Sequence, residues 1–296
     1  MWSDRPVTSP AGPEPALLRE IAVTVATEAA AFVRSRRAEV FGPSRDLAPD
    51  AAEVRAKTTP TDPVTVVDTD TEQFLRERLA VLRPGDPILG EEGGGPSDAA
   101  SDAAGAVTWV LDPIDGTVNF VYGIPAYAVS VGAQVDGVSV AGAVADVVAG
   151  RVYSAGSGLG AHVTDGQGTR ELRCTAVAEL SMALLGTGFG YSPTRRVRQA
   201  ELVAQMLPVV RDVRRIGSAA LDLCMVAAGQ LDAYYEHGLQ VWDSAAGALI
   251  AAEAGARVVL PPPDADGAGL VVAAAPGIAD ALLAALRRVG GLDPIE

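Results

Sequence analysis

The stretch WVLDPIDGTVNF, Trp109 to Phe120, sets an apolar run directly against a cluster of polar chemistry. Val107–Leu111 reads as a buried strand, and it ends on Asp112 and Asp115, with Pro113 and Ile114 between them. Read as a β-turn, Asp112-Pro113-Ile114-Asp115 places proline at the favoured second position. The first and fourth residues of such a turn approach to within about 7 Å at Cα, so both carboxylates can converge beside the Ile114 carbonyl. Two carboxylates and a carbonyl form a hard oxygen site suited to Mg2+ rather than to Zn2+ or copper. Without a cation, two buried like charges repel and one must take up a proton. Gly116 and Thr117 follow, and Thr117–Tyr122 is expected to open a helix whose free N–H groups favour an anion such as phosphate. Metal and phosphate side by side suit metal-assisted phosphoryl transfer. The simpler alternative is a plain turn with an aspartate cap.

Working outward, the chain on either side alternates helices and strands. Residues 1–14 read as a flexible tail. Pro15–Val40 has a helical period, with Leu17, Leu18, Ile21, Val25 and Phe32 as expected inner positions. Residues 43–63 read as a long polar loop, and Asp68–Leu82 as a second helix capped near Asp68 or Thr69. Pro87–Gly90 is a short strand entering a Gly-rich loop. Ala126–Val135 and Val138–Val147 flank Asp136-Gly137, a strong hairpin signal. Val152–Ser154 and Gly160–Val163 extend this antiparallel meander.

Beyond it the expected elements are strands at Ala183–Thr187, Ala233–Glu236, Val258–Leu260 and Leu270–Ala274. Helices are expected at Thr194–Val210, Ile216–Ala228, Trp242–Ala254 and Gly277–Val289. Residues 15–160 thus form an α+β half holding the metal site. Residues 161–296 form a smaller α/β half that contributes Asp243, and the two make one integrated domain of mixed α+β and α/β class.

Composition narrows the function. The 296-residue chain is 49% hydrophobic, ample for a large core. A formal net charge of −14 disfavours direct nucleic-acid binding, which shows a basic face. Cys174 and Cys224 are the two cysteines and form no zinc-binding spacing. No signal peptide and no membrane-length apolar run stand out, so a cytoplasmic enzyme without membrane contact is expected.

Further acids stand at element ends. Glu91 and Glu92 follow the strand in ILGEE, Asp243 opens a helix in VWDSAAG, and Asp68 opens another in DPVTVVDTDTE. Capping is the ordinary role of an aspartate at such a place. Four acids at element ends exceed what capping alone leads one to expect.

Taken together these segments resemble the inositol monophosphatase family of Mg2+-dependent, lithium-sensitive sugar phosphatases, in its bacterial form. ILGEEGG, WVLDPIDGTVNF, AYYEHGLQVWD and VWDSAAGALIAAEAGARV follow the family order over about residues 55–260. The resemblance implies the layered αβαβα fold and two or three Mg2+ ions, with Li+ as inhibitor. Glu91, Asp112 and the Ile114 carbonyl would hold the first ion, and Asp112, Asp115 and Asp243 a second. A third would lean on Glu91 and waters. Thr117, supported by Asp68, would position and help deprotonate the attacking water. The N–H groups of Gly116 and Thr117 would grip the phosphate. Asp115, Glu236 and the backbone of Gly217, Ser218 and Ala219 would contact the polyol. Lys57 and Asp62 fall in the family's mobile loop.

The implied reaction is hydrolysis of myo-inositol 1-phosphate, a small-molecule phosphate ester, by a homodimer. Histidinol phosphate or another sugar or nucleotide phosphate is the alternative substrate. TGFGYSPTRRVRQAE (Thr187–Glu201) departs from the animal enzymes and leaves inositol selectivity open. Arg195, Arg196, Arg198, Arg211, Arg214 and Arg215 make a locally basic region. It reads as a solvated face or subunit contact, with a regulatory surface for the transcription machinery as the alternative. His162 and His237 are given no role.

Overall fold

The computed structural model describes residues 15–42, 54–57, 63–95, 105–262 and 269–295. Helix α1 (Pro15–Phe41) forms because small and apolar residues recur at helical spacing. Leu18, Ala22, Val25, Ala26, Ala29, Ala30 and Val33 are buried along one stripe. That stripe centres on alanines, so Leu17, expected inside, lies off it and is 47% exposed. Phe32 sits at the margin and stacks on Phe74 with ring centroids 5.0 Å apart.

The long loop expected over residues 43–63 contains β1 (Val54–Ala56) and β2 (Pro63–Thr65), paired antiparallel. Strands of three residues are too short to show periodicity. Helix α2 (Val66–Leu82) starts before Asp68, and neither Asp68 nor Thr69 is its cap. Thr65 caps it, accepting from the Val67 and Asp68 N–H groups, while Asp68 accepts from the Thr65 N–H at 2.9 Å. This reciprocal box follows the Thr-x-x-acid pattern.

The first sheet runs β3 (Ile88–Gly90), β4 (Val107–Asp115), β5 (Ala128–Val135), β6 (Val138–Asp146), β7 (Arg151–Gly156), β8 (Ala161–Asp165), β9 (Gly168–Glu171), in that order. β3 pairs parallel with β4, and the rest is an antiparallel meander. Short helix α3 (Thr117–Tyr122) lies between β4 and β5. Asp136 and Gly137 have φ of 51° and 75°, the mirror-image turn that matches strand twist. β9 is exposed at every residue, so no apolar alternation announces it. The sheet therefore continues past residue 160 to Glu171.

The second sheet is built from β10 (Leu184–Thr187), β11 (Asp212–Arg214), β12 (Ala233–His237), β13 (Arg257–Val259) and β14 (Leu270–Ala274), in the order β11-β10-β12-β14-β13. Its helices are α4 (Pro193–Met206), α5 (Ala219–Ala227), α6 (Val241–Glu253) and α7 (Ala279–Arg288). Three, α4, α5 and α7, are shorter than expected, and the first two have a definite cause. Pro208 tightens the end of α4 into a 3-10 turn. Gly217 has φ 95°, and Ser218 caps α5 by accepting from the Leu221 N–H, so that helix cannot begin at Ile216.

Four apolar clusters fill the spaces between layers. One joins α1 and α2 to the first sheet, and the next joins that sheet to α5 and α6. A third joins α5 and α6 to the second sheet, whose far face packs on α4 and α7. Five layers result, αβαβα, as the resemblance implies.

Helix α6 lies between the sheets and is buried from Ser244 to Ala251. It can lie close because Gly132 and Gly142, a cross-strand pair, face it. A Cβ on Gly132 would stand 3.0 Å from Ala245 Cβ, and one on Gly142 2.9 Å from Ala246 Cα. No helix among the described residues is long and apolar enough to cross a membrane.

Candidate active site

Strand β4 does not stop at Leu111, and Asp112–Asp115 is not a chain-reversing turn. The strand continues through the motif as a bulge. Asp112 pairs with Ser130 and Asp115 with Ala128, three steps against two. Residues three apart on a regular strand face opposite sides. The extra residue cancels that alternation, so both carboxylates reach the same side. Asp112 stabilises the bulge itself, its Oδ1 accepting from the Ile114 N–H at 3.0 Å.

Asp243 arrives from the opposite layer. It sits in the first turn of α6, where its Oδ2 accepts from the Gln240 N–H at 2.7 Å. Asp243 is thus the acid of a capping box whose cap is Gln240, and the same side chain stands beside Asp112 and Asp115. The first turn of α6 is also tied to the sheet, the Ser130 hydroxyl donating to the Trp242 carbonyl at 3.4 Å. Carboxylate oxygens of Asp112, Asp115 and Asp243 lie within 4.8 Å of one another, as a set of metal ligands would require.

The electrostatics of this triad are unfavourable without a counter-charge. Burial pushes the Asp112 carboxyl well up, and Glu91, Asp115 and Asp243 push it further. Burial and the Asp115 charge likewise raise Asp243. Asp115 is raised to about 6 by burial, against the hydrogen bonds it accepts from Ser218 Oγ at 2.5 Å and the Ala220 N–H at 2.7 Å. Carboxylates that repel one another, two buried and one half-buried and all hard oxygen donors, fit a Mg2+-type cation.

Glu91 acts on the triad from the loop after β3. Its carboxylate accepts from Lys57 Nζ at 2.7 Å, and Glu92 accepts from the same ammonium at 2.5 Å. Burial pulls the Lys57 ammonium down, but the two glutamates outweigh it and hold it above its ordinary value. The loop is shaped by Glu72 of α2, a buried residue outside the sequence expectations. It accepts from the Glu92 and Gly93 N–H groups at 2.7 and 2.8 Å. Asp62 lies outside the described residues.

Thr117 and Asp68 meet although 49 residues separate them. The Thr117 hydroxyl stands 3.2 Å from Asp68 Oδ1 and 3.1 Å from the Ile114 carbonyl. Burial raises Asp68 to about 7, against its hydrogen bonds from Thr65. The first bond within α3 runs from Phe120 N–H to the Gly116 carbonyl at 3.0 Å, so the N–H groups ahead of it make no bond within the helix.

Gly217, Ser218 and Ala219 approach from the start of α5. Ser218 and the Ala219 N–H both donate to Asp115, the latter at 3.3 Å. Asn119, which sequence reasoning misses, clamps the two segments together. Its side-chain amide donates to the Ala126 carbonyl at 2.7 Å and to the Ile216 carbonyl at 2.9 Å. Nothing in the spacing of GTVNF signals a bond to a residue 97 positions away.

Glu236, on β12, completes the surround. Burial raises it to about 7, against the Tyr234 hydrogen bond and the Arg215 charge. The neighbouring His237 is buried and pushed down to about 4, hence neutral at pH 7. His162 lies on β8, its Nδ1 3.4 Å from Arg19 of α1. In the basic region, Arg198 pairs with Glu201 at 2.9 Å and Arg214 with Asp212 at 2.6 Å. Arg196 donates to the Gly190 carbonyl at 3.3 Å.

The model of the inositol monophosphatase family matches residues 14–290. The inositol-1-monophosphatase of Mycobacterium leprae is 76% identical over 284 residues, 95% of this chain and 97% of that protein. Inositol-1-monophosphatase SuhB of Mycobacterium tuberculosis is 75% identical over 283 residues, with the same coverage. The solved structure of Mycobacterium tuberculosis SuhB superposes with a TM-score of 0.79 at 68% identity, covering 95% of this chain and 99% of that one. Sequence motifs, layered fold and convergent acids lead to one conclusion: the chain belongs to the inositol monophosphatase family.

Proposed function

We propose that the chain hydrolyses myo-inositol 1-phosphate in a Mg2+-dependent reaction, by direct attack of water on phosphorus. The triad of buried Asp112 and Asp115 with half-buried Asp243, their oxygens within 4.8 Å of one another, is the observation that carries the reading. These three, with Glu91 and the Ile114 carbonyl, would hold two or three ions. Bound Mg2+ supplies charge neutralisation at the phosphoryl and leaving oxygens and eases the ionisation of water.

The chain's own groups do the rest. Thr117 Oγ1 accepts from the attacking water and passes its own proton to Asp68. A carboxyl raised to about 7 is matched to that task near neutral pH. The N–H groups of Gly116 and Thr117 hold the phosphate at the start of α3. Asp115 and Glu236 accept from the polyol hydroxyls. Because Ser218 and Ala219 bond to Asp115, they act on the substrate through it, and Gly217 supplies backbone beside them. Lys57, just after β1, holds Glu91 in place. The names of the mycobacterial relatives support inositol as the polyol.

A phosphate-release panel tests the reading. It compares myo-inositol 1-phosphate, histidinol phosphate, fructose 1,6-bisphosphate and 3′-phosphoadenosine 5′-phosphate, with and without Mg2+ and Li+. The expected result is fastest release from the inositol ester, lost on chelation and lowered by Li+. Faster release from another ester replaces the substrate, and no release from any of them sinks the proposal. A homodimer is proposed on the family resemblance. Sedimentation should return twice the chain mass of 30.2 kDa, and a monomer at micromolar concentration would remove this part.

A further inference from the structure

The divergent segment begins at Thr187, the last residue of β10, and there a cross-strand row meets the polyol side of the site. Tyr234 and Glu236 are two apart on β12, so both face the α5 and α6 layer. β10 runs parallel beside them. Gly186 pairs with Tyr234, and Thr187 with Tyr235, which brings Gly188 next to Glu236. A Cβ on Gly188 would lie 1.8 Å from Glu236 Oε2 and 2.3 Å from its Cδ. One on Gly186 would meet Leu231 Cδ1 at 2.8 Å, Asp222 Oδ1 at 3.0 Å and the Tyr234 ring at 3.2 Å. Neither glycine has positive φ, so what both supply is room. The phenol fills one space and the carboxylate the other.

The carboxylate is also held. Tyr234 is fully buried, and its O–H donates to Glu236 Oε2 at 2.5 Å. Arg215 attracts Glu236 from the segment after β11, and Asp115 repels it from β4. Asp222 of α5 and Asp243 of α6 add repulsion from their helices. A carboxylate among three aspartates keeps one orientation only if something fixes an oxygen, and the buried phenol does so. Oε1 is then left to accept from a substrate.

We propose that Tyr234 and Gly188 are positioning residues for Glu236 and together set the preference for phosphate esters that carry neighbouring hydroxyls. The inference rests on the proposed role of Glu236 as acceptor for the polyol. A polar group held in one direction favours a ligand that can donate to it and penalises one that cannot. Loosened, it loses that discrimination. Gly188 thereby gives part of the divergent segment a task.

The test uses the full chain with Mg2+ and two substrates, myo-inositol 1-phosphate and propyl phosphate, which bears no hydroxyl. The wild type should prefer the inositol ester in kcat/KM. Tyr234→Phe keeps the ring in the core and removes only the donor. Gly188→Ala keeps the phenol and pushes the carboxylate aside. Both should raise KM for the inositol ester about tenfold or more, with kcat nearly unchanged and KM for propyl phosphate unmoved. Equal losses on both substrates, or a loss confined to kcat, would show a merely structural role and overturn the inference. So would two variants with wild-type KM. A wild type without any preference for the inositol ester overturns the reading of Glu236 itself, and is seen before any variant is made. Should Tyr234→Phe fail to fold by circular dichroism, the Gly188→Ala result decides alone.

Discussion

An Asp112→Asn protein is expected to lose about a thousandfold or more of its phosphate-release rate while remaining folded, and to melt higher than the wild type once metal is stripped from both. Asp112 stands at the centre of the acids, with Glu91, Asp115 and Asp243 all acting on its carboxyl. Metal-borne charge stabilisation is worth several kcal/mol in the transition state, and about 4 kcal/mol corresponds to a thousandfold. Asparagine has the same shape, and its oxygen can still accept from the Ile114 N–H, so the bulge survives. The lost charge also removes repulsion from its neighbours. The metal-free melting temperature should therefore rise by about 2 °C or more. A variant that keeps most of its rate would remove Asp112 from the metal site. A lower melting temperature without metal would show that the acids do not strain one another.

Stripping the metal should also make stability fall as pH rises, the opposite of ordinary acid denaturation. Asp68 and Glu236 are raised to about 7 and Asp115 to about 6. In the unfolded chain such groups titrate near about 4. A carboxyl raised by folding binds its proton more tightly when folded. Its contribution is complete below the unfolded value and is lost as pH climbs through the folded one. Between about pH 4 and 8 the metal-free protein should lose several kcal/mol, a melting-temperature drop on the order of 10 °C. The proposed Mg2+ would bind the ionised carboxylates, so adding it at pH 8 should restore most of the loss. Calorimetry of the chelated protein across this range checks the sign. A melting temperature that is level or rising over it contradicts the account.

Several features are legible in the sequence for definite physical reasons. Asp136-Gly137 marks its hairpin because the turn needs two left-handed residues. Spacing and Pro113 predict the convergence of Asp112 and Asp115 through a proline turn that the chain does not make. The bulge that does bring them together is not legible, because a bulge is defined against its partner, and β5 begins beyond α3. Thr65 as the cap of α2 was within reach, since Thr65-x-x-Asp68 is a capping box with aspartate as the acid. Strands β1, β2 and β11 are too short for any pattern, and β9 is too exposed for one. Glu72 and Asn119 hold the site through backbone groups remote in sequence, and a contact with backbone leaves no mark on the residue type it touches. Family likeness alone pairs Thr117 with Asp68, because no spacing rule spans 49 residues.

The glycine pair under α6 bears on how finely the acid cluster can be held. Asp112 and Asp115 belong to a sheet, and Asp243 rides on a helix laid across it. Their separation is therefore an interlayer thickness, and the bare backbone at Gly132 and Gly142 sets it from behind. Mg2+ tolerates little departure from oxygen distances of about 2.0–2.1 Å. A shim of one methyl group between the layers would be felt at the cluster as a changed gauge, though it touched none of the three acids. The tolerance of the site is thus written in two positions that have no side chain at all.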